Sequence, residues 1–514
     1  MAGYALLSVY RKEGIVEFAR ELKELGYSLI SSGGTARELR KAGLEVIEVS
    51  DFTKSPEMMD GRVKTLHPKI HGGILMDRKN KKHLEEAKKY GIEPIDIVAV
   101  NLYPFEETVL KKPSLAEAIE NIDIGGPTLI RAAAKNYKDV VVICDPAYYK
   151  QVINELREKK EVSEELRRRL AILAWEHIAH YDTVIEKYFK KIWQEKNERY
   201  PEYLNLTFKK KQDLRYGENP HQTAALYYDP HEENVSISDA KQYGGKELSY
   251  NNILDMNSAY RLINQFEEPT AVIIKHNNPC GIATNDSILE AYKIARAVDP
   301  EAAFGGVVAV NRKVEKELAQ EIISRFVEIV LAPSYTKEAI EVLKKKPNLR
   351  IMELPFKQIN EPFKTYRSVL GGLLVQDADV ELYKELKIVT KRKPSEEEMK
   401  AMIYAWKIVK YVRSNAIVYA RPNKAVGIGA GQMKRIDAAK IGALIAQEFG
   451  DNLKGCAMAS DAFFPFRDGI DFAAKLGVTA VIQPGGSVND KEVITAADEH
   501  NMTMIFTGMR HFRH

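Results

Sequence analysis

Ala271-Val272-Ile273-Ile274-Lys275-His276-Asn277-Asn278-Pro279-Cys280-Gly281 opens with four apolar residues and ends in turn formers. The apolar run predicts a buried strand. Asn277-Asn278-Pro279-Cys280-Gly281 continues neither a strand nor a helix and predicts a turn. An ammonium and an imidazole then stand side by side at a strand end, the edge where α/β folds collect ligands. A neighbouring ammonium disfavours a second positive charge, so the pair reads as a proton acceptor beside a proton donor. A lone Lys-His pair is more often a surface feature, so the rest of the chain decides.

The chain has 514 residues, too many for one core, and its length predicts roughly three compact units. There are 76 basic and 72 acidic residues, a net charge of +4, too small to imply nucleic-acid binding but compatible with small anionic ligands. Three distant cysteines, Cys144, Cys280 and Cys456, argue against a disulfide framework. No apolar run is long enough to span a bilayer, and Met1-Ala2-Gly3-Tyr4 lacks a basic leader, so a cytoplasmic, unprocessed protein without membrane partners is expected.

From Ala5 to about Tyr149, strands alternate with amphipathic helices, predicting a parallel α/β sheet. The strands are expected at Ala5–Val9, Ser28–Ser31, Val46–Val49, Ile95–Val100 and Val140–Ile143. Gly14–Leu25 reads as a helix with Ile15, Phe18, Leu22 and Leu25 on one face. Ser32-Gly33-Gly34-Thr35 lies between a strand and the expected helix Ala36–Ala42 and reads as a phosphate cradle, the alternative being a plain turn with Thr35 as N-cap. Arg62-Val63-Lys64-Thr65-Leu66-His67-Pro68, if extended, would turn two cations and a hydroxyl to one face and grip a phosphate. A third group comprises Asn101-Leu102-Tyr103-Pro104, Asp123-Ile124-Gly125-Gly126-Pro127 before the expected helix Thr128–Ala134, and Lys135 near its end. Free amides at that helix start would form an oxyanion hole. Residues 146–197 read as a charged helical connector or packing layer, with a boundary near Tyr200-Pro201.

The second half opens on Arg215-Tyr216-Gly217-Glu218-Asn219-Pro220-His221-Gln222, a polar string with little value for packing, and then shows a duplication. Helix Ile288–Ala297, Ala303-Phe304-Gly305-Gly306, strand Val307–Val310, a helix, strand Ile329–Pro333 and helix Lys337–Lys344 are echoed later in the same order. The echo is helix Ala438–Phe449, strand Ala457–Ser460, Asp461–Phe466, a helix, strand Ala480–Pro484 and helix Lys491–His500. Two similar subdomains facing each other would make a cleft lined by Lys275-His276, Phe304–Gly306, Ser414-Asn415, Gly427–Gln432 and Asp461–Asp468. Gly427–Gly431 matches a dinucleotide loop only superficially. A zinc deaminase would need a second cysteine three residues after Cys280 and an acidic neighbour; Ala283 and Asn278 stand there, so zinc is not expected.

Assembled in order, Ser32–Thr35, Arg62–Pro68, Asn101–Phe105, Asp123–Pro127, Arg131–Asn136, Arg215–Gln222, Lys275–Gly281, Gly427–Gln432, Ser460–Asp468 and Arg510–His514 closely resemble one family. It is that of the bifunctional purine-biosynthesis enzymes with 5-aminoimidazole-4-carboxamide ribonucleotide (AICAR) formyltransferase and IMP cyclohydrolase activities. The resemblance implies an α/β protein with a methylglyoxal-synthase-like parallel-sheet cyclohydrolase domain over residues 1–199. It implies a transferase domain over 200–514, made of two zinc-free cytidine-deaminase-like subdomains divided near residue 380. The implied substrates are AICAR, formyl-AICAR and IMP, with 10-formyltetrahydrofolate as co-substrate. No metal is implied for the chemistry, a structural monovalent cation stays open, and a homodimer with transferase sites at its interface is implied.

The resemblance also implies residue roles. His276 would take the AICAR amine proton while Lys275 donates to the leaving folate nitrogen, with Asn415 orienting the carboxamide. Arg215, with its neighbour Tyr216, and Arg510 would bind the phosphate. Phe304, Gly305, Glu328, Arg435, Ile436, Phe463, Asp468, Ser487 and Val488 fall at nucleotide or folate contacts. In the first domain Lys135 would act as acid and base with Lys64, Tyr103 and Asp123. Ser32, Gly33, Gly34, Thr35, Arg62, Val63 and Thr65 would hold the 5′-phosphate, with Asn101, Ile124, Gly125 and Gly126 beside them. The family's Ser-Asp-Lys-Thr-Gly reads Tyr10-Arg11-Lys12-Glu13-Gly14 here, so Lys12 is retained while contacts at Tyr10 and Arg11 must differ. Two rival readings are a phosphate-eliminating lyase, which leaves the second half unexplained, and a non-catalytic nucleotide-binding protein, in which Lys275 and His276 would both be replaceable.

Overall fold

A computed structural model of the chain describes residues 3–193, 199–230, 232, 235–357 and 363–514. These form two compact units, Met1–Thr207 and Phe208–His514. Residues 194–197, the end of the expected connector, lie outside the described residues.

The first unit is built on five parallel strands, β1 (Tyr4–Val9), β2 (Ser28–Ser31), β3 (Ile47–Glu48), β4 (Ile95–Asn101) and β5 (Val141–Ile143), in the order β3-β2-β1-β4-β5. Their near-continuous apolar runs suit strands covered on both faces. Ile95, Ile97, Val98, Ala99 and Val100 are all buried, each large side chain contributing about 1.5–3 kcal/mol relative to exposure. The chain leaves β1 in one direction to reach β2 and enters β4 on the other side. That strand-order switch opens a crevice at the carboxyl ends of β1 and β4. The stretch read as a connector is a packing layer: the Glu164–Trp193 helix buries Leu166, Leu170, Ala174 and Ile178 in this unit's core.

The second unit carries a sheet of twelve strands. After a hairpin of β6 (Lys209–Leu214) and β7 (Ala224–Tyr228), β8 (Lys241–Gly244) forms one edge. The first repeat contributes β9 (Thr270–Lys275), β10 (Asn278–Thr284), β11 (Val307–Val310), β12 (Ile329–Ala332) and β13 (Arg350–Glu353). A separate hairpin, β14 (Lys364–Val369) with β15 (Gly372–Asp377), and the short β16 (Lys387–Ile388) follow. The second repeat contributes β17 (Ile417–Arg421), β18 (Lys424–Gly429), β19 (Ala457–Ser460), β20 (Ala480–Gln483) and β21 (Thr503–Phe506). The duplication reaches further back than the sequence pattern showed, since each repeat also has a leading helix (Tyr250–Ile263, Glu396–Val409) and a leading hairpin. Both leading helices start at a serine capping box, Ser249 and Ser395.

The repeats do not face each other across a cleft. They join edge to edge through β10 and β18, antiparallel, with Ala283 opposite Lys424 and the Thr284 N–H donating to the Asn423 carbonyl at 2.8 Å. One face of the joined sheet has a common core drawn from both repeats, including Ile274, Ile282, Val418 and Ile428. The opposite face has a separate core for each repeat. Because that common core fuses them, the length prior of three units becomes two.

Asn278-Pro279-Cys280-Gly281 is strand, not turn. A register shift between Pro279 and Gly281 absorbs the proline's missing N–H. Gly281 and Gly427 are needed for close approach, since a Cβ at either would lie 2.0 Å from a helix carbonyl oxygen (Ala295, Gly442). The Gly-rich run of the second repeat is therefore a helix-packing strand and holds no pyrophosphate loop.

Candidate active sites

In the first unit, a cavity of about 790 Å³ lies at the strand-order switch. Its wall includes Tyr10, Lys12, Ser32, Gly33, Gly34, Thr35, Arg62, Lys64, Thr65, Asn101, Tyr103, Asp123, Ile124, Gly125 and Gly126, with Glu120 and Asn121 unanticipated. The helix starts earlier than expected, at Gly33, with Ser32 as its N-cap residue. The first-turn amides of Gly33, Gly34 and Thr35 thus have no partner inside the helix and suit an anion. The Thr35 hydroxyl is not a cap. It accepts from Val9 N at 3.1 Å and from Lys12 Nζ at 3.0 Å, and donates to the Val9 carbonyl at 2.9 Å, latching the cradle to β1.

Arg62–His67 is not extended but coiled in consecutive turns, because Gly61 at φ +85° ends a short 3-10 turn there. Lys64 and Thr65 still reach the cavity, while Arg62 pairs with Glu120 on its rim. Lys64 Nζ lies 3.1 Å from where a Gly33 Cβ would stand, so the ammonium overhangs the cradle. Burial lowers the pKa of Lys12, with the Glu38 charge opposing.

The Gly125–Lys135 helix aims its N-terminus at the same cavity. Burial pushes the Asp123 carboxyl up, against the amides of Gly126, Tyr103 and Gly125 and the charge of Lys64. The Gly126 bond is 2.8 Å. Two amides expected in an oxyanion hole are therefore already bonded to Asp123. Burial, then the Asp123 charge, raises the Tyr103 hydroxyl. Lys135 does not line the cavity: it is exposed at the far end of an eleven-residue helix, ~15 Å of rise from Gly125. At the departure from the family pattern, Asn101 Oδ1 accepts the amides of Tyr10 (2.6 Å) and Arg11 (3.0 Å), so a side chain from β4 shapes the loop. The Tyr10 ring packs edge-on against Tyr103, with centroids 5.6 Å apart, and Arg11 turns away to pair with Glu107. Val63 lies in the coiled turn, half buried and off the cavity wall.

In the second unit, Lys275 and His276 sit on the β9–β10 hairpin. Its two central residues are both left-handed, His276 at φ 51° and Asn277 at φ 62°, the conformation that matches strand twist in two-residue hairpins. Because β10 runs antiparallel to β18, this turn lies beside the segments flanking β17 and β18. The Arg413 N–H donates to Asn278 Oδ1 at 2.9 Å. Ser414-Asn415 and Gln432-Met433 converge there: Asn415 Nδ2 donates to the carbonyls of Gln432 (2.9 Å) and Met433 (3.1 Å). Asn415 Oδ1 accepts from Arg435 Nη2 at 2.7 Å, so the amide is held in one orientation. Arg435 is a nearly buried strut, also bonded to Ser460 and Asp461.

The C-terminal tail ties both sides together. The Arg513 N–H donates to Ser414 Oγ (3.1 Å), and its Nη2 donates to Ser258 Oγ (2.7 Å), which donates on to Asn277 Oδ1 (2.9 Å). Arg513 belongs to the Arg510–His514 string but was given no role there, and Ser258 was not anticipated, since only tertiary contact brings them to the turn. Lys275 Nζ donates to the Phe304 carbonyl at 2.7 Å, beside Gly305 in left-handed backbone. Glu328 pairs at 2.5 Å with the buried Arg350, a structural duty. The loop of Phe463 and Asp468 meets that of Ser487 and Val488 through Asn489, which donates to the Pro465 carbonyl at 2.7 Å. Ile436 follows Arg435 in its helix, half buried. Arg510 lies over the Phe512 ring at 4.5 Å, exposed, and Arg215 donates to the Tyr216 hydroxyl at 2.9 Å.

The duplication supplies an internal comparison. At the position of Lys275-His276-Asn277 the second repeat has Arg421-Pro422-Asn423. Arg421 reaches the Lys454 carbonyl (3.2 Å) as Lys275 reaches that of Phe304, but it is also neutralised by Asp451 at 3.1 Å. Lys275 makes no ion pair among the described residues, and only its turn carries an imidazole. Among the described residues, one repeat leaves the cation at its turn without an ion pair; the other neutralises it.

Residues 14–128 match the family model of the MGS-like domain, and residues 133–444 match that of the AICARFT/IMPCHase bienzyme. The bifunctional purine biosynthesis protein PurH of Persephonella marina is 50% identical over 519 residues, covering 100% of both chains. That of Magnetococcus marinus is 51% identical over 526 residues, covering 99% of each. A solved structure, the crystal structure of ForH, is 34% identical, covers 36% of this chain and 97% of its own, and superposes with a TM-score of 0.33. Fold and sites thus define a two-site α/β bienzyme with an MGS-like first domain. The chain belongs to the AICARFT/IMPCHase bienzyme family.

Proposed function

We propose that the two sites divide the last two steps of purine biosynthesis between the two units. The protein is a bifunctional enzyme. It transfers the formyl group of 10-formyltetrahydrofolate to the 5-amino group of AICAR, and then closes formyl-AICAR to IMP with loss of water. The observation that carries the assignment of the first step is the Lys275-His276 turn, its cation without an ion pair among the described residues, beside an oriented Asn415. The AICAR amine is a poor nucleophile because its lone pair is delocalised into the ring. His276 takes its proton as the C–N bond to the formyl carbon forms. Lys275 protonates N10 of the folate as the old C–N bond breaks. Asn415, its Nδ2 committed, presents the remaining lone pair of Oδ1 to a substrate N–H. Arg215 and Arg510 are exposed and Tyr216 is half buried beside Arg215, and the three suit the phosphate.

For ring closure, the first-unit cavity is large enough for a nucleotide. The Gly33–Thr35 amides, Lys12 and Thr65 suit the phosphate, and binding supplies proximity for attack of the carboxamide nitrogen on the formyl carbon. With Lys135 outside the wall, proton transfer falls to Asp123 and Tyr103, and the developing oxyanion to Lys64. Gly33 at φ +56° must stay glycine. Gly33→Ala is expected to raise KM for formyl-AICAR roughly tenfold, about 1.4 kcal/mol, with formyl transfer unchanged; steady-state kinetics on each half-reaction checks it.

The homodimer with transferase sites at its interface, and a cytoplasmic location, belong to the same proposal. Support for an interface comes from apolar side chains left in solvent near the site, Met433 and Val488 each 99% exposed and Phe466 60% exposed. No described helix is long and apolar enough to cross a membrane, and no cluster of metal-ligating side chains occurs among the described residues. The test is direct: purified protein supplied with AICAR and 10-formyltetrahydrofolate should yield IMP. Accumulation of formyl-AICAR alone, or no turnover, refutes the assignment.

A further inference from the structure

The left-handed turn under His276 needs something to hold it, because non-glycine residues avoid that conformation. The Tyr250–Ile263 helix provides it. Asp255 Oδ1 accepts the Asn277 N–H at 2.6 Å, and the carboxylate also takes the His276 N–H. Ser258, one turn further along the same helix face, grips the Asn277 side chain. Two successive amides closing on one carboxylate form an anion nest built from the protein's own side chain.

We propose that Asp255 is a positioning residue for formyl transfer: it locks the His276-Asn277 turn and sets a fixed negative charge beneath the Lys275-His276 pair. The inference rests on the reading of that pair as the transfer site. The duplication supports it independently. In the second repeat the residues matching Ser249, Asp255, Lys275 and His276 are Ser395, Ala401, Arg421 and Pro422. Among the described residues, neither Pro422 nor Asn423 has positive φ. Carboxylate, left-handed turn and Lys-His pair occur together in one repeat and are absent together from the other. A buttress needed only for the hairpin fold would be expected in both.

Charged groups face Asp255 from each packed element. Lys275 and His276 come from β9 and its turn, Cys280 from β10, and Arg513 from the tail through Ser258. Arg261 lies on its own helix. Asp239, on the adjoining Ile237–Asp239 turn, is bonded to the Ser236 amide, and Glu328 before β12 is paired with Arg350. Burial raises the Asp255 carboxyl. The Asn277 amide, the His276 charge and amide, and the Lys275 charge oppose it, in that order. Cys280, on β10, is pushed up chiefly by burial, with the Asp255 charge adding to it.

The full-length enzyme with Asp255→Asn keeps the side-chain shape and one acceptor but loses the charge. We expect kcat for formyl transfer to fall about tenfold with KM for AICAR changed less than about threefold. The acid limb of the kcat profile should move to lower pH, because a nearby proton is no longer favoured by an anion. Asp255→Ala, losing the amide acceptor too, should fall about a hundredfold. Asp255→Glu should return the acid limb towards wild type while kcat stays low. Closure of supplied formyl-AICAR reports an intact first unit throughout. If Asp255→Asn moves neither kcat nor the acid limb while His276→Ala abolishes transfer, the role of Asp255 is refuted alone. If His276→Ala still transfers the formyl group, the site reading fails with it.

Discussion

His276→Ala is expected to lower formyl transfer by about a thousandfold or more, while supplied formyl-AICAR still closes to IMP at the wild-type rate. The size follows from the reaction. A delocalised amine attacks only as its proton departs, and no second imidazole occupies this turn's position in the other repeat, where Pro422 stands. Lys275 cannot substitute, since its Nζ is drawn to the Phe304 carbonyl and an ammonium already holds its protons. Sparing of ring closure follows from the separate location of that cavity in the first unit. Stopped assays of each half-reaction decide the matter, and equal loss of both activities in a folded variant would overturn the two-site division.

The second large effect concerns Lys64. Lys64→Ala should slow ring closure about a hundredfold, with formyl transfer untouched, the loss typical of removing one oxyanion donor. The amides of Gly125 and Gly126 are bonded to Asp123 and cannot serve the developing charge. The ammonium of Lys64 overhangs Gly33 and has only a loose pairing with Glu57, at 3.5 Å. It is therefore the cation available to an oxygen on the formyl carbon. Lys64→Arg should recover part of the rate by keeping the charge. Single-turnover closure that is unchanged in Lys64→Ala would move the oxyanion role elsewhere.

Much of this was legible in order along the chain. Alternating apolar runs and amphipathic stretches marked the strands of the first unit to within a residue or two, because fully buried strands and one-sided helices leave periodic patterns. Val46–Val49 shows the limit: only Ile47 and Glu48 pair in the sheet, and Val49 begins a helix. The residues around the first cavity were found because glycines, hydroxyls and cations follow strands there. The start of the helix after β2 and the place of Lys135 were not legible for a shared reason. Sequence spacing does not say which side of a helix start, or which end of a helix, meets the ligand.

What the sequence determined by itself was the local chemistry: which turns bear reactive groups, which strands are buried, and that one supersecondary unit is written twice. Tertiary structure alone decided how the two copies join. Antiparallel pairing of β10 with β18 puts the first copy's hairpin beside segments flanking the second copy's strands. For that reason the Lys275-His276 hairpin lies beside the Arg413–Asn415 segment, the Arg413 N–H donating to Asn278. Asp255, Ser258 and Arg513 gained their roles the same way, through hydrogen bonds between residues far apart in the chain, which no periodicity records.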